Sequence, residues 1–413
     1  MDGERLRVLM LSWEYPPRCV GGLAEHVYHL SRHLADRGVK VEVFTAGLPG
    51  SPATAREGGV AVHRVAGFGP ASPDFLSWVL QLNLGLVEAA TRVLTGAVRN
   101  GRATLLHVHD WLVAFAGRAL KHAFRLPVVA TVHATEAGRH GGVHTPEQRF
   151  INDVEWWLTY EAWRVVCCSR YMAGELENAF RLPPDKVRVL PNGVDPASLA
   201  PPPGCRGGRG RERFAAPDER LVFFIGRLVP EKGVQVLLEA LPQVLARQPR
   251  TKVVIAGTGP FEQHLRSRAE ALGVDAHVYF TGYVDDLTRR QLYQWADLAV
   301  YPSLYEPFGI VALEAMAAGV PVMVARTGGL AEIVEDGVDG LCVPPGRADA
   351  LAQALLRFLA DPGMAARLTQ AARRKVRQRF LWPQVAAATV ELYREVIREG
   401  AGNPWMRAGG AAP

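Results

Sequence analysis

Short apolar runs that stop at glycine, histidine or proline, alternating with stretches of helical spacing, set the rhythm of this chain. Leu6-Arg7-Val8-Leu9-Met10-Leu11 has the length and apolar character of a buried parallel strand. A loop holding Pro16-Pro17 and Gly21-Gly22 follows, then Leu23, Val27, Leu30 and Leu34 recur at helical spacing, Gly38 closes the helix, and 39–45 reads as a second strand. The pattern repeats with a strand over 105–108, a helix over 111–124 and a strand over 128–132 behind Pro127. Further on, 165–168 is a strand with Ser169 capping the next helix, and 187–190 leads into Pro191-Asn192-Gly193-Val194-Asp195, whose turn chemistry marks a domain hinge. Alternation of this kind predicts an α/β fold with a doubly wound sheet, in which ligands bind beyond the carboxyl ends of the strands.

The second half starts over. The stretch from Pro201 to Gly210 has no periodicity and cannot bury a face, so it reads as a linker. Strands follow over 221–225, 253–256, 278–280, 298–301 and 320–325, each ending in a loop of small or charged residues, and everything from Ala348 to about Glu399 is helical. Two doubly wound α/β domains facing across a crevice are the expected architecture.

Bulk properties narrow the class without choosing within it. With 413 residues, 48% of them hydrophobic, the chain is long enough for two or three domains with real cores. No apolar run reaches the ~20 residues of a membrane span, and the polar start from Met1 to Arg7 has no signal region behind it, so a cytoplasmic location is expected. Five cysteines, two of them adjacent at 167 and 168, follow no metal or disulfide spacing. The net charge of +6 suggests an anionic partner, yet its densest cluster, 373–379, is explained more simply as a solvated helix face, and no nucleic-acid recognition motif accompanies it.

Candidate chemistry sits at the predicted strand ends. In Tyr305-Glu306-Pro307-Phe308-Gly309-Ile310 a helix is expected to begin near Phe308, with Pro307 in its first turn and Gly319 as its left-handed end. Its first amides, at Phe308, Gly309 and Ile310, suit a phosphate or diphosphate, and Gly309 would let the ligand come close. Glu306 and Glu314, eight positions apart, would lie on one side of that helix roughly 12 Å from each other. The bland alternative makes Glu306 a dipole-favoured helix start and Glu314 a solvated position, but Glu314 lies among Ile310, Val311, Leu313, Ala315 and Met316, where a carboxylate needs a partner. Arg227 and Lys232, on the loop after 221–225, carry the charge a diphosphate requires. Gly21 and Gly22 lack the G-x-G-x-x-G spacing of a dinucleotide fingerprint and either offer amides to a phosphate or make a tight turn. His109-Asp110-Trp111 and His133-Ala134-Thr135-Glu136 stand at two strand ends of the first domain. Trp156, Tyr160 and Trp163 repeat at helical spacing and are read as core packing in preference to a sugar-stacking platform.

The Glu306/Glu314 pair with Phe308-Gly309 inside it resembles the paired-glutamate motif of retaining family 4 glycosyltransferases and of the related glycogen and starch synthases. Gly226-Arg227 with Lys232-Gly233, His109-Asp110-Trp111 and His133 match the same family, and the resemblance covers nearly the whole chain. It implies a GT-B fold: residues 1–197 an acceptor-side domain, 198–216 a linker, 217–381 a nucleotide-sugar domain, 382–399 a helix crossing back to the first domain, and 400–413 a tail expected to be disordered. It also implies a retaining transfer that needs no metal and no cofactor beyond a nucleotide diphosphate sugar. In that scheme Glu306 holds the sugar hydroxyls, Glu314 the ribose and His133 the sugar near its reacting carbon. Arg227, Lys232 and the amides near Phe308 to Ile310 stabilise the leaving diphosphate, and the Gly21-Gly22 loop serves donor and acceptor. The 109–111, 133–140 and 157–161 segments look most like the glycogen-synthase branch, which implies an ADP- or UDP-glucose donor and an α-glucan or glucosyl-phosphate acceptor. Sucrose-type, trehalose-type and lipid-linked acceptors remain alternatives, as does a nucleotide-sugar epimerase. A phosphorylase would need a lysine-bound cofactor and a longer chain, and a nonenzymatic binder would rest on charge alone.

Overall fold

A computed structural model describes residues 6–66, 72–97, 103–200 and 210–407. The chain divides into two compact units, one comprising Met1–Gly193 with Trp382–Pro413 and the other Val194–Leu381.

The first unit is built on eight strands: β1 (Leu6–Leu11), β2 (Lys40–Ala46), β3 (Thr54–Glu57), β4 (Val60–Val65), β5 (Ala103–His109), β6 (Val128–Val132), β7 (Arg164–Cys167) and β8 (Val187–Val189). Their order is β3-β4-β2-β1-β5-β6-β7-β8, parallel except for the β3–β4 hairpin. β1 is wholly buried and pairs with β2 on one side and β5 on the other. The order reverses there, which places the loops after β1 and β5 at the point where such sheets take ligands. The hairpin and a long helix, Phe75–Ala97, are additions that the sequence pattern did not mark. The expected helix over 111–124 begins as a 3-10 turn, Trp111–Val113, before Ala114–Phe124. The last helix runs Trp382–Gly402, past the expected end at 399, and buries Trp382, Val385, Tyr393 and Val396 in the same core as Val8, Met10, Val27 and Leu30. The tail expected to be disordered from Gly400 is instead helical through Gly402 and again at Pro404–Arg407; residues 408–413 lie outside the described residues.

The second unit has six strands: β9 (Arg220–Ile225), β10 (Thr251–Ala256), β11 (Val278–Gly282), β12 (Leu298–Tyr301), β13 (Val322–Ala325) and β14 (Leu341–Val343). All are parallel, in the order β11-β10-β9-β12-β13-β14, so its reversal falls between β9 and β12. β13 begins at Val322, not Val320, because Pro321 has no amide for the ladder. Residues 201–209 of the predicted linker lie outside the described residues; Arg211–Arg213 forms a 3-10 turn, and Val194 onward belongs to this unit. Among the described residues no helix is long and apolar enough to cross a membrane.

Candidate active site

In the second unit the loops after β9 and β12 converge. After β9 the chain turns through Arg227 into a short 3-10 helix, Pro230–Lys232. After β12 it runs through Ser303 and Glu306 to a helix at Ile310–Ala318. The two loops are stitched together by the amides of Leu304 and Tyr305, which donate to the Glu231 carbonyl at 2.8 and 3.3 Å. Lys232 Nζ donates to Glu306 Oε2 at 2.7 Å, and Ser303 Oγ donates to the same oxygen at 3.2 Å. Glu306 is 7% exposed, so its charge is held by a cation and a hydroxyl instead of water, as a buried carboxylate must be. Arg227 Nη2 stands 4.0 Å from Glu231 Oε1 with about half its side chain exposed. Its half-exposed guanidinium fork, on the same loop as Lys232, can take an anion in bidentate fashion.

The helix geometry differs from expectation. It starts at Ile310, not Phe308, and its N-cap, Gly309, has φ 104°. Pro307 and Phe308 lie ahead of it, so only part of the Glu306–Glu314 separation is helical and the straight-helix distance does not apply. Gly309 is explained by packing more than by ligand approach: besides its positive φ, a Cβ there would meet Leu330 Cδ2 at 2.4 Å. Gly319 does end the helix in the left-handed region, at φ 85°. Glu314, 8% exposed, has the partners its apolar surroundings demanded, since Arg289 Nη1 donates to Oε1 at 2.8 Å and the Tyr293 hydroxyl to Oε2 at 3.0 Å. Both come from the Asp286–Trp295 helix, whose role has no signature in sequence.

In the first unit the end of β5, the residue after β6 and the helix that follows β1 bring together a cluster of imidazoles. His109 Nδ1 lies 3.2 Å from His133 Nε2, and His26, from the Gly22–Asp36 helix, packs its ring edge-on to His133 at 4.7 Å. His26 Nδ1 donates to Asn192 Oδ1 at 2.6 Å, which leaves Nε2 a buried acceptor without a hydrogen bond. Burial is the main cause that lowers the pKa of His26 and of His133 to about 3, with His133 depressing His26 and Arg139 depressing His133 further. The imidazoles are therefore neutral at pH 7. Ligand nitrogens of His26, His109 and His133 lie within 4.8 Å of one another, a group whose composition could hold a metal ion. His26 escaped the sequence reading because nothing near it in the chain marks a site.

Asp110 connects these elements. Its backbone, at φ 63° and ψ 172°, is in a region other residues avoid, and the price in strain is tolerated where neighbours fix it. Here its buried carboxylate accepts the His133 amide at 2.7 Å. Burial raises the Asp110 pKa to about 6, against the opposing pull of Arg139. The Gly21-Gly22 loop is held in a similar way: Glu14 Oε2 accepts the amides of Val20 and Gly21 at 2.6 and 3.1 Å, so the Gly21 amide is already satisfied within the chain. Trp156 and Tyr160 correct the core-packing expectation, being 46% and 67% exposed with their rings stacked at 5.7 Å, whereas Trp163 packs against the core.

Glu155 gives a pH prediction. Its two oxygens accept the Glu136 amide, and burial is the main cause that raises its pKa from 4.5 to about 8. The folded chain thus keeps a proton that the unfolded chain releases near pH 4.5. This group's favourable contribution is complete below pH 4.5 and is lost as pH rises to about 8. Glu155→Gln retains the acceptor and removes the charge, so its stability relative to wild type is expected to rise between pH 5 and 8 by on the order of 2–4 kcal/mol. Urea midpoints measured at both pH values check this; an unchanged difference would mean Glu155 titrates normally.

Comparison with known proteins bears on both units. Residues 20–198 match the model described as Glycosyltransferase Family 4, and residues 210–375 match Glycosyl transferases group 1. An uncharacterized glycosyltransferase of Methanocaldococcus jannaschii is 38% identical over 94% of this chain and 98% of its own. A glycogen synthase of Mycobacterium tuberculosis is 37% identical over 94% of each. Among solved structures, sucrose-phosphate synthase from Thermosynechococcus elongatus superposes with a TM-score of 0.82 at 26% identity, covering 96% of this chain and all of the other.

Proposed function

We propose that this chain, which belongs to the family 4 glycosyltransferases of GT-B fold, moves glucose with retention from ADP- or UDP-glucose to an α-glucan or a glucosyl phosphate, acting in the cytoplasm. The observation that carries the reading is the Lys232–Glu306 pair at the β9/β12 reversal, with the half-exposed Arg227 on the same loop as Lys232. A nucleoside diphosphate is a dense anion, and a lysine and an arginine on adjoining loops supply two of the charges that a divalent ion would otherwise supply. The similarity to a mycobacterial glycogen synthase over almost the full length supports glucose as the transferred sugar.

In this reading the second unit holds the donor. Arg227, Lys232 and the backbone from Phe308 to Ile310 face the diphosphate; Glu306, its carboxylate fixed by Lys232 and Ser303, accepts from the sugar hydroxyls; Glu314, fixed by Arg289 and Tyr293, accepts from the ribose. The first unit supplies His133, a neutral imidazole whose backbone Asp110 pins, and the Gly21-Gly22 loop pinned by Glu14. The acceptor hydroxyl attacks from the face that the diphosphate leaves. Its proton passes to a phosphate oxygen as the C–O bond to the diphosphate breaks, so neither a protein nucleophile nor a metal takes part.

The test is release of nucleoside diphosphate from UDP-, ADP- and GDP-sugars, with and without glycogen, maltose or glucose 1-phosphate, in the presence of EDTA. Acceptor-dependent release from a glucose donor, undiminished by EDTA, is the expected result. Turnover that EDTA abolishes would overturn the metal-free mechanism, and release only with a lipid-linked or ketose acceptor would overturn the acceptor assignment.

A further inference from the structure

Three imidazoles of the first unit reach one place from three separate elements: His26 from the Gly22–Asp36 helix, His109 from the end of β5 and His133 from the residue after β6. One nitrogen of each ring lies within 4.8 Å of one from each of the other two. The ring centroids form a triangle, 4.7 Å between His26 and His133 and 5.5 Å for each of the other pairs. The neighbouring His107 shows what a purely structural histidine looks like here. Its ring is 4.1 Å from that of His109, and both its nitrogens are engaged, by the Tyr393 hydroxyl at 2.6 Å and the Thr131 hydroxyl at 2.7 Å. His26 and His109, both buried, instead each keep Nε2 without a hydrogen-bond partner among the described residues.

A buried ring nitrogen without a partner has lost its hydration and gained no bond in return. At His26 the hydrogen on Nδ1 is given to Asn192 Oδ1, so Nε2 carries a lone pair. Metal-ligating histidines are oriented in the same way, by a hydrogen bond on the nitrogen that faces away from the ion. A bridging water donates only two hydrogens, whereas a divalent ion can take a lone pair from each of three rings. Drawing three nitrogens in from the corners of a 4.8 Å triangle to a Zn–N bond of ~2.0–2.1 Å moves each by under about 1 Å, a small side-chain rotation. His133 is half-buried and leaves a way in. A ligand set of imidazoles with no carboxylate favours zinc, copper or nickel over magnesium, calcium or manganese.

We infer that His26, His109 and His133 form a binding site for a zinc-class divalent ion, and that the bound ion inhibits the protein. The ion takes no part in transfer. It occupies His133, the imidazole assigned above to the sugar, and so competes with the substrate there. The binding half of the inference stands on the three imidazoles alone, and the inhibitory half rests on the transferase reading.

Binding is read first, on the full chain stripped of metal with EDTA and dialysed. Co2+ is expected to give the visible d–d bands of a four-coordinate, nitrogen-ligated ion at a single equivalent; Zn2+ should displace it and Mg2+ should not. A thiolate-to-cobalt charge-transfer band in the near ultraviolet would place the ion on cysteine and overturn the site. Asn192→Ala, which frees the far side of the His26 ring, is expected to weaken Zn2+ binding ~10- to 100-fold, and His26→Gln and His109→Gln by more, each checked for an unaltered melting profile. His33→Gln is the control, because Glu25, His29 and His33 follow one another at four-residue spacing on the same helix and could hold an ion adventitiously. Loss of binding in His33→Gln, or an unchanged Kd in whichever of His26→Gln and His109→Gln folds, overturns the inference. In the nucleoside diphosphate release assay, Zn2+ at ~10 times its Kd should lower wild-type turnover ~10-fold at sub-saturating donor, with EDTA restoring it. Asn192→Ala should shift half-inhibition by the same factor as Kd. Zinc that binds through the three histidines and leaves turnover unchanged overturns the inhibitory half; zinc that raises turnover overturns it and the metal-free mechanism together. A chain that binds zinc through the three histidines but transfers nothing counts against the transferase reading alone.

Discussion

Lys232→Ala is expected to lower kcat for transfer by roughly three orders of magnitude, the scale seen when a preorganised charge facing a developing oxyanion is removed. The ammonium stands at the end of the loop after β9, a quarter exposed, with one face against Glu306 and the rest open to a ligand. Its loss also leaves the Glu306 carboxylate buried with Ser303 as its nearest remaining donor, which costs about 1–3 kcal/mol of stability. The two effects can be told apart. Glu306→Ala alone removes the charge that Lys232 balances, and the double variant removes both, so stability should recover in the double variant while turnover stays absent. If the pair were only a structural ion pair, activity would recover together with stability. Near-normal kcat in either single variant would remove both residues from the site. The measurements are nucleoside diphosphate release and urea midpoints on the three variants.

What the sequence could convey of this arrangement is bounded by distance along the chain. Glu306, Arg227 and Lys232 were legible because each follows directly on an apolar run, and strand ends deliver side chains to one edge of a parallel sheet whatever the details between them. Glu314 was legible as a problem, a carboxylate in an apolar segment, but its solution lies on another helix, at Arg289 and Tyr293, and no spacing rule connects positions 289 and 314. The same holds for His26, brought to His133 by the packing of its helix against β2 and the Trp382–Gly402 helix and oriented by Asn192 from 166 positions away. The late start of the 310–318 helix followed from a single dihedral, Gly309 at φ 104°, where Pro307 had suggested an earlier turn. Trp156 and Tyr160 show the limit of periodicity: helical spacing says that rings share a face, not which face meets the core, and here theirs meets solvent. The β3–β4 hairpin was missed because alternating, half-polar strands of four and six residues carry too few apolar positions to stand out.

Gly233→Ala is expected to unfold more of the protein than any surface change and to disable what stays folded. Gly233 closes the 3-10 turn that carries Lys232 and opens the Val234–Leu245 helix, at φ +70°. An alanine there bears the left-handed penalty of ~1–2 kcal/mol. Its Cβ would also fall 1.9 Å from the Pro302 carbonyl oxygen, a backbone atom that cannot rotate away. Relieving that overlap means moving the 302–306 loop, adding ~1–3 kcal/mol as overpacked interiors do, for a total of about 2–5 kcal/mol. The movement is at the place that matters for function, because Gly233 follows Lys232 and Pro302 leads into the loop that carries Ser303 and Glu306, so parting the two backbones separates the Lys232 ammonium from the Glu306 carboxylate. Gly273→Ala is the control: its φ is +65° with open space around the added carbon, so it carries the conformational penalty alone. Urea unfolding of both variants should place Gly233→Ala clearly below Gly273→Ala, and transfer measured well below either midpoint should be reduced in the former. Equal losses of stability would mean that left-handed strain is the whole effect and that the loop after β12 yields freely. In that case the close approach of the two backbones would not be what fixes the Lys232–Glu306 pair, and the pair's own bond would have to do so.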